Sequence, residues 1–221
     1  MIDTLLSLIA PHHCCGCGKV GSLLCDNCKY NIISEPESIC LPCGRPCGVS
    51  GICNNCRVPY EKAWSVGKRQ DTLQRLVGLY KFERAKAGYH VLATLLLEII
   101  PELPSDVVVV PVPTVASHVR ERGYDHTLLI AKSFAKSRGL QLSRALARST
   151  HTKQRQATAA TRHAQAKVAF NVPKRLTLDV PYLLIDDIMT TGATLKYAAK
   201  ALKQAGASQV WVAIIARQTL D

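Results

Sequence analysis

Hydrophobic positions along this chain change period several times. From Leu73 they recur at helical spacing, and AGYHVLATLLLEII (87–100) keeps that spacing until Pro101 stops it. DVVVVPVP (106–113) is a β-branched run bounded by prolines, which predicts a buried strand. HTLLIAKSFAKSR (126–138) is amphipathic and runs into Gly139, a helix stop. VPYLLID (180–186) predicts a second buried strand, TLKYAAKALKQAG (194–206) a helix closed by Gly206, and QVWVAIIA (209–216) a last strand. Residues 59–70, with Trp64, read as an entry strand or linker, and Trp64 and Trp211 read as core packing. Strands alternating with helices predict an α/β fold whose mostly parallel sheet is covered on both faces.

The first 58 residues break the pattern. They are turn-rich and hold all ten cysteines of the 221-residue chain. The spacing is Cys14-x2-Cys17-x7-Cys25-x2-Cys28, then Cys40-x2-Cys43-x9-Cys53-x2-Cys56. Each Cys-x2-Cys turn presents two thiolates to one metal, and two turns complete the closed four-sulfur shell of structural zinc. A double zinc ribbon with two zinc ions is therefore expected over 1–58, attached to a cysteine-free domain over 59–221. Disulfides are the weaker reading for a mid-sized chain without an export signal. Sequential pairing is the simplest, with an interleaved arrangement open. Cys15 and Cys47 are supernumerary and read as unliganded thiols, and His12 and His13 as solvated side chains.

Composition narrows the function classes. No apolar run approaches the roughly 20 residues that cross a bilayer. The start, MIDTLLSLIAPHH, lacks the basic region of a secretory signal, so a soluble, cytoplasmic protein is expected. The net charge of +12 is uneven, since 114–175 carries thirteen Lys or Arg against two acids, Glu121 and Asp125. Such a stretch is a solvated face, or an electrostatic footprint for phosphates.

The most informative stretch is LLIDDIMTTGATL (183–195). A strand ends in two carboxylates, Asp186 and Asp187, and a loop of Thr190, Thr191, Gly192, Ala193 and Thr194 opens a helix. In open α/β sheets ligands sit beyond the carboxyl ends of the strands. The loop offers amides, hydroxyls and one glycine beside the positive end of a helix dipole, a setting that favours phosphate. Two acids facing that phosphate would repel it. They make sense if they accept hydrogen bonds from sugar hydroxyls, or hold a divalent metal or its water shell. A ribose phosphate satisfies both halves. The stretch is neither a Walker loop nor a dinucleotide fingerprint.

LLIDDIMTTGATL resembles the phosphoribosyl-pyrophosphate (PRPP) motif of type I phosphoribosyltransferases. Together with VVPVPTVASHVRERGYDHT and the cysteine module, the chain resembles the ComF family of competence-associated proteins, also called GntX-like. The resemblance implies a type I phosphoribosyltransferase-like sheet with helices on both faces, beside an N-terminal zinc module. It implies that Asp186 and Asp187 bind the ribose hydroxyls and residues 190–194 the 5′-phosphate. Pyrophosphate would lie at the turn around Pro113 and Thr114, with His118, Arg120 and Arg122 available to its charges. Residues 148–162 fall where relatives carry a loop that closes over the reacting centre. Asp125-His126 stand where many relatives have Asn-Gln, and Gln165-Ala166 near where an Asn is common.

The implied reaction is magnesium-dependent transfer of phosphoribosyl from PRPP to an acceptor that the sequence does not identify. No Ser/His/Asp or Cys/His arrangement offers a conventional nucleophile, and none is required. A second reading is a non-catalytic competence factor that binds single-stranded DNA through 114–175 and uses PRPP as a regulatory ligand. Aromatic residues are only 5% of the chain, and that segment holds only Tyr124, Phe134 and Phe170, which argues against strong base stacking.

Overall fold

A computed structural model describes residues 12–33, 39–82, 87–148 and 170–218. The closing-loop expectation falls mostly on 149–169, outside the described residues, as do Gln165 and Ala166. The elements are α1 (Asp26–Ile33), β1 (Lys62–Lys68), α2 (Asp71–Phe82), α3 (Gly88–Ile99), β2 (Val108–Pro111), α4 (Ala116–Arg122) and α5 (His126–Arg138). They continue with β3 (Gln141–Leu142), β4 (Ala147–Arg148), β5 (Phe170–Asn171), β6 (Pro181–Met189), α6 (Ala193–Gln204) and β7 (Gln209–Arg217).

Five strands form one sheet in the order β1-β7-β6-β2-β3, every pair parallel. A separate antiparallel pair joins β4 to β5. Alternate residues of the central strands feed two cores, as the two-residue period of a strand requires. Val109, Leu183, Ile185, Ala213 and Ile215 pack under α2, α3 and α5. Val108, Val110, Leu184, Val212 and Ile214 pack under α6. These strands are buried on both faces, which explains why they read as unbroken hydrophobic runs.

Helix ends follow local chemistry. Asp125 caps α5, its carboxylate accepting from Leu128 N at 3.1 Å, and Gly139 follows in the left-handed region at φ 64°. Gly206 after α6 likewise has φ 103°. Among the described residues no helix is long and apolar enough to cross a membrane.

The cysteine-rich residues pack into both cores. Cys14, Leu24 and Cys28 join the layer under α2 and α3, while Leu41 joins the layer under α6. Arg75 of α2 donates from Nε to Cys15 O at 2.6 Å, and Lys29 of α1 pairs with Glu98 of α3 at 3.2 Å. Edge strand β1 pairs with β7 on one side, and on the other Ala63 N donates to Ser50 O at 2.8 Å. That contact shields a strand edge otherwise open to foreign strands. It needs Gly51, at φ 68°, because a Cβ there would lie 2.0 Å from Ala63 O.

Candidate functional site

The parallel sheet places the carboxyl ends of β2, β6 and β7 on one rim. β2 ends at Pro111, paired with Ile185, so Asp186 and Asp187 lie just beyond the point where β6 loses that neighbour. Both acids are nearly buried, 9% and 5% exposed. Their environments differ. Asp186 accepts from Asp187 N at 2.9 Å. Asp187 accepts from Ile188 N at 2.6 Å, while its second oxygen lies 2.6 Å from Lys81 Nζ and 2.5 Å from His126 Nε2. Neither approach has ordinary hydrogen-bond angles, so the attraction over these distances is chiefly electrostatic.

His126 is itself held. Arg122 Nη1 donates to its Nδ1 at 2.9 Å, and Tyr80 OH donates to its carbonyl at 2.8 Å. An imidazole that accepts at Nδ1 carries its proton on Nε2, on the side of the carboxylate. Thr114 Oγ1 donates to Asp125 Oδ1 at 2.9 Å, tying the turn after β2 to the cap of α5.

Burial raises both carboxyls, and charge then separates them. Asp187 is nonetheless held down to about 2, because His126 and Lys81 favour its ionised form. Asp186 is pushed up to about 8 by burial and by the charge on Asp187, with Lys81 and Arg148 opposing. Arg148 ends β4 with Nη1 3.5 Å from Pro113 O.

The hydroxyl loop follows three residues later. Gly192 has φ 74°, where any other residue is strained, and α6 starts at Ala193. Ala193 N donates weakly to Thr191 Oγ1 at 3.4 Å, and Thr190 and Thr191 are exposed. The first-turn amides of a helix lack intrahelical acceptors, so this end is suited to an anion.

The predicted site residues thus fall into groups. Asp186, Asp187, Pro113, Thr114, Arg122 and the loop 190–194 share the rim. His118 and Arg120 lie on exposed faces of α4. The sequence reading missed Lys81. Its signal was spacing, since Leu73, Val77 and Lys81 follow at i, i+4 and i+8, which puts a lysine on the buried stripe of α2.

The cysteines form two sets of four, Cys14, Cys17, Cys25 and Cys28, then Cys40, Cys43, Cys53 and Cys56, with the sulfurs of each set within 4.8 Å of one another. Pairing is sequential. Cys17 and Cys25 Sγ lie 3.7 Å apart, and Cys43 and Cys53 Sγ 3.6 Å. A tetrahedral zinc with 2.3 Å bonds separates its sulfurs by about 3.8 Å, so the donor set fits that ion. The two knuckles repeat one geometry. Gly18 N and Gly44 N each donate at 2.8 Å to the first cysteine's carbonyl, with φ 77° and 73°. Cys15 and Cys47 stand outside both sets.

With this geometry in place, comparison with known proteins is informative. The family model "Phosphoribosyl transferase domain" matches residues 126–219, from α5 through β7, including the acid pair and the hydroxyl loop. The chain is also similar to "Competence protein ComFC" of Bacillus subtilis (strain 168), 25% identical over 85% of this chain and 81% of that one. It is similar to "DNA utilization protein YhgH" of Salmonella typhi, 29% identical over 85% of this chain and 88% of that one. The solved "structure of the allosteric regulatory enzyme of purine biosynthesis" matches 57% of this chain and 24% of its own, at 20% identity and a TM-score of 0.40. The resemblance to ComF-type proteins therefore spans most of the chain. Lys81, Thr114 and Arg122 precede the matched segment, so the surroundings of the acid pair draw on residues upstream of it.

Proposed function

We propose that this chain binds PRPP with magnesium and transfers its phosphoribosyl group to an acceptor, in a ComF-type role connected with DNA uptake. The observation that carries the reading is the buried acid pair beside a hydroxyl-rich loop opening α6. The loop suits the 5′-phosphate, the acid pair the ribose hydroxyls, and the turn at Pro113 and Thr114 the pyrophosphate, with Arg122 and Arg120 as its cations. In the reaction the bond from the anomeric carbon to pyrophosphate breaks, its electron pair leaving with pyrophosphate. The acceptor's lone pair forms the new bond, and the acceptor's proton passes to solvent. The chain's part is positioning and electrostatic stabilisation of a ribose that develops positive charge. Magnesium, when bound, would supply neutralising charge for the departing pyrophosphate. We assign 1–58 as a double zinc-ribbon region with two structural zinc ions and 59–221 as the phosphoribosyltransferase-like region, working in the cytoplasm. Zinc there is closed by four thiolates and leaves no position for substrate.

Calorimetric titration of PRPP with magnesium tests the binding, and pyrophosphate release across a panel of base and amine acceptors tests turnover. Saturable binding with release for at least one acceptor supports the transferase. Binding without release for any acceptor favours the second reading, a single-stranded DNA-binding competence factor regulated by PRPP. That reading draws on the relatives' names and on exposed cations such as Lys132, Lys136, Arg144, Lys174 and Arg175. It receives little from aromatic residues, since Phe134 is buried and Arg148 lies over Phe170 at 5.5 Å.

A further inference from the structure

The first cysteine set and the acid rim lie at opposite ends of one helix. We propose that metal occupancy of that set is coupled to ligand binding at the rim through α2, with Arg75 the positioning residue that joins the two. This inference takes its rim ligand, magnesium–PRPP, from the reading above and adds a second site that acts on it.

The connection begins inside the knuckle. Arg75 Nε donates to Cys15 O at 2.6 Å, and its Nη2 to Gly16 O at 3.4 Å. Cys15 and Gly16 are the two residues between Cys14 and Cys17, so both acceptors sit in the turn that a bound zinc closes. A guanidinium fork holds two acceptors only while they keep one relative geometry. Cys15 Sγ reaches Thr72 O, in the first turn of α2, at 3.8 Å. A Cβ at Gly16 would lie 2.5 Å from Cys28 Sγ and 3.2 Å from Thr72 Cγ2, so knuckle, ligand and helix pack without slack. Cys14 and Cys28 also share a buried layer with Leu73, Leu76 and Val77. Four thiolates this close repel one another, and zinc is what offsets their charge and fixes the turn.

The other end of α2 meets the rim. Lys81 Nζ is 2.6 Å from Asp187, and Tyr80 OH donates to His126 O at 2.8 Å. Tyr80 O in turn accepts from Tyr124 OH. From Arg75 to Lys81 the helix advances only about 9 Å along its axis. So short a packed helix moves as one rigid piece, and a change in its anchor at Arg75 arrives at the acid pair as a displacement of Lys81. The second set is attached elsewhere. Leu41 joins the layer under α6, and Gly44 lies against the Arg217 guanidinium at the end of β7. α2 thus gives the first set its own route to the rim.

Coupling between two sites is reciprocal, so a ligand at the rim must tighten zinc at the first set. Cys17 and Cys43 are exposed, which opens one ligand of each set to a chelator. The experiment follows zinc transfer from the full chain to a chromogenic chelator, with saturating magnesium–PRPP or with magnesium alone. PRPP should slow release of one zinc per chain by at least about fivefold and leave the other within about twofold. Arg75→Met should remove that protection while the chain keeps both zinc ions and a saturable PRPP site. Arg75 is exposed, so its loss opens no core. Should the variant fail to fold, Arg75→Lys carries the same expectation, because an ammonium cannot span both carbonyls. Mere stabilisation of the folded chain would protect both zinc ions equally and would survive the substitution. Equal protection of both ions, protection that persists without Arg75, or PRPP binding with no change in zinc release overturns the coupling and leaves the PRPP reading standing. A wild type holding fewer than two zinc ions does the same. Absence of wild-type PRPP binding removes that reading and the inference together.

Discussion

The cysteine clusters and the acid rim are both polar constellations set against apolar cores, yet they are assembled from opposite distances. Each sulfur set closes within 17 residues or fewer, Cys14 to Cys28 and Cys40 to Cys56. The surroundings of Asp187 come from α2 and α5, far away along the chain. Local sets are written as spacing and can be read directly. Distant sets become visible only when the sheet brings their elements to one rim.

The largest effect that probes this contrast is metal removal. Structural zinc in small sites contributes on the order of 10 kcal/mol of binding energy that is also folding energy. Cys28→Ser or Cys40→Ser should release one zinc per chain and cause extensive loss of thermal stability, measured by metal content and calorimetric melting. Because Cys14 and Cys28 sit in the core under α2, the loss should spread into the sheet rather than stay in a ribbon. A variant that melts in two separate steps, with the later one unchanged, would break the comparison. Next in size, Asp186→Asn should weaken magnesium–PRPP binding by roughly ten- to hundredfold with little change in melting. Third, Gly192→Ala places a side chain at φ 74°, with its Cβ 3.4 Å from Met189 Sδ. The backbone strain is about 1–2 kcal/mol, and PRPP affinity should fall more than the melting temperature does.

The fourth prediction concerns pH. The raised Asp186 carboxyl gives stability that is fully present below the ordinary carboxylate range and lost as pH rises through about 8. The ligand-free protein should therefore lose melting temperature from pH 6 to pH 8, and Asp186→Asn should flatten that slope. The depressed Asp187 works the other way, since its contribution is present above the ordinary range and disappears as pH falls toward about 2. Smallest of all, Glu61→Gln removes a surface pair with Lys203 and should cost at most about 1 kcal/mol.

Much of the fold was legible because periodicity and caps agree. The helix expected over 126–138 has those bounds, with Asp125 and Gly139 as its ends. The strand expected over 180–186 runs on through Met189, because β7 continues to pair with it after β2 has stopped. The short helix α4 was not anticipated. Its seven residues bury nothing fully, so VASHVRERG carries no hydrophobic stripe to announce it. The acid pair was legible as a pair, and its inequality was not. That depends on Lys81, whose partner lies 106 positions further along the chain by its own number and can be seen only through spacing on α2. The packing of the cysteine-rich region against the sheet was equally silent, since Leu24, Leu41 and Gly51 are unremarkable until β1 is beside them.

The central claim is that the rim of β6 and the opening of α6 hold a ribose phosphate. Titration of magnesium–PRPP into the zinc-replete chain, followed by calorimetry, tests it most directly. One saturable site, weakened at least tenfold by Asp186→Asn, is the predicted result. No detectable binding by the wild type, or equal binding by that variant, would contradict it.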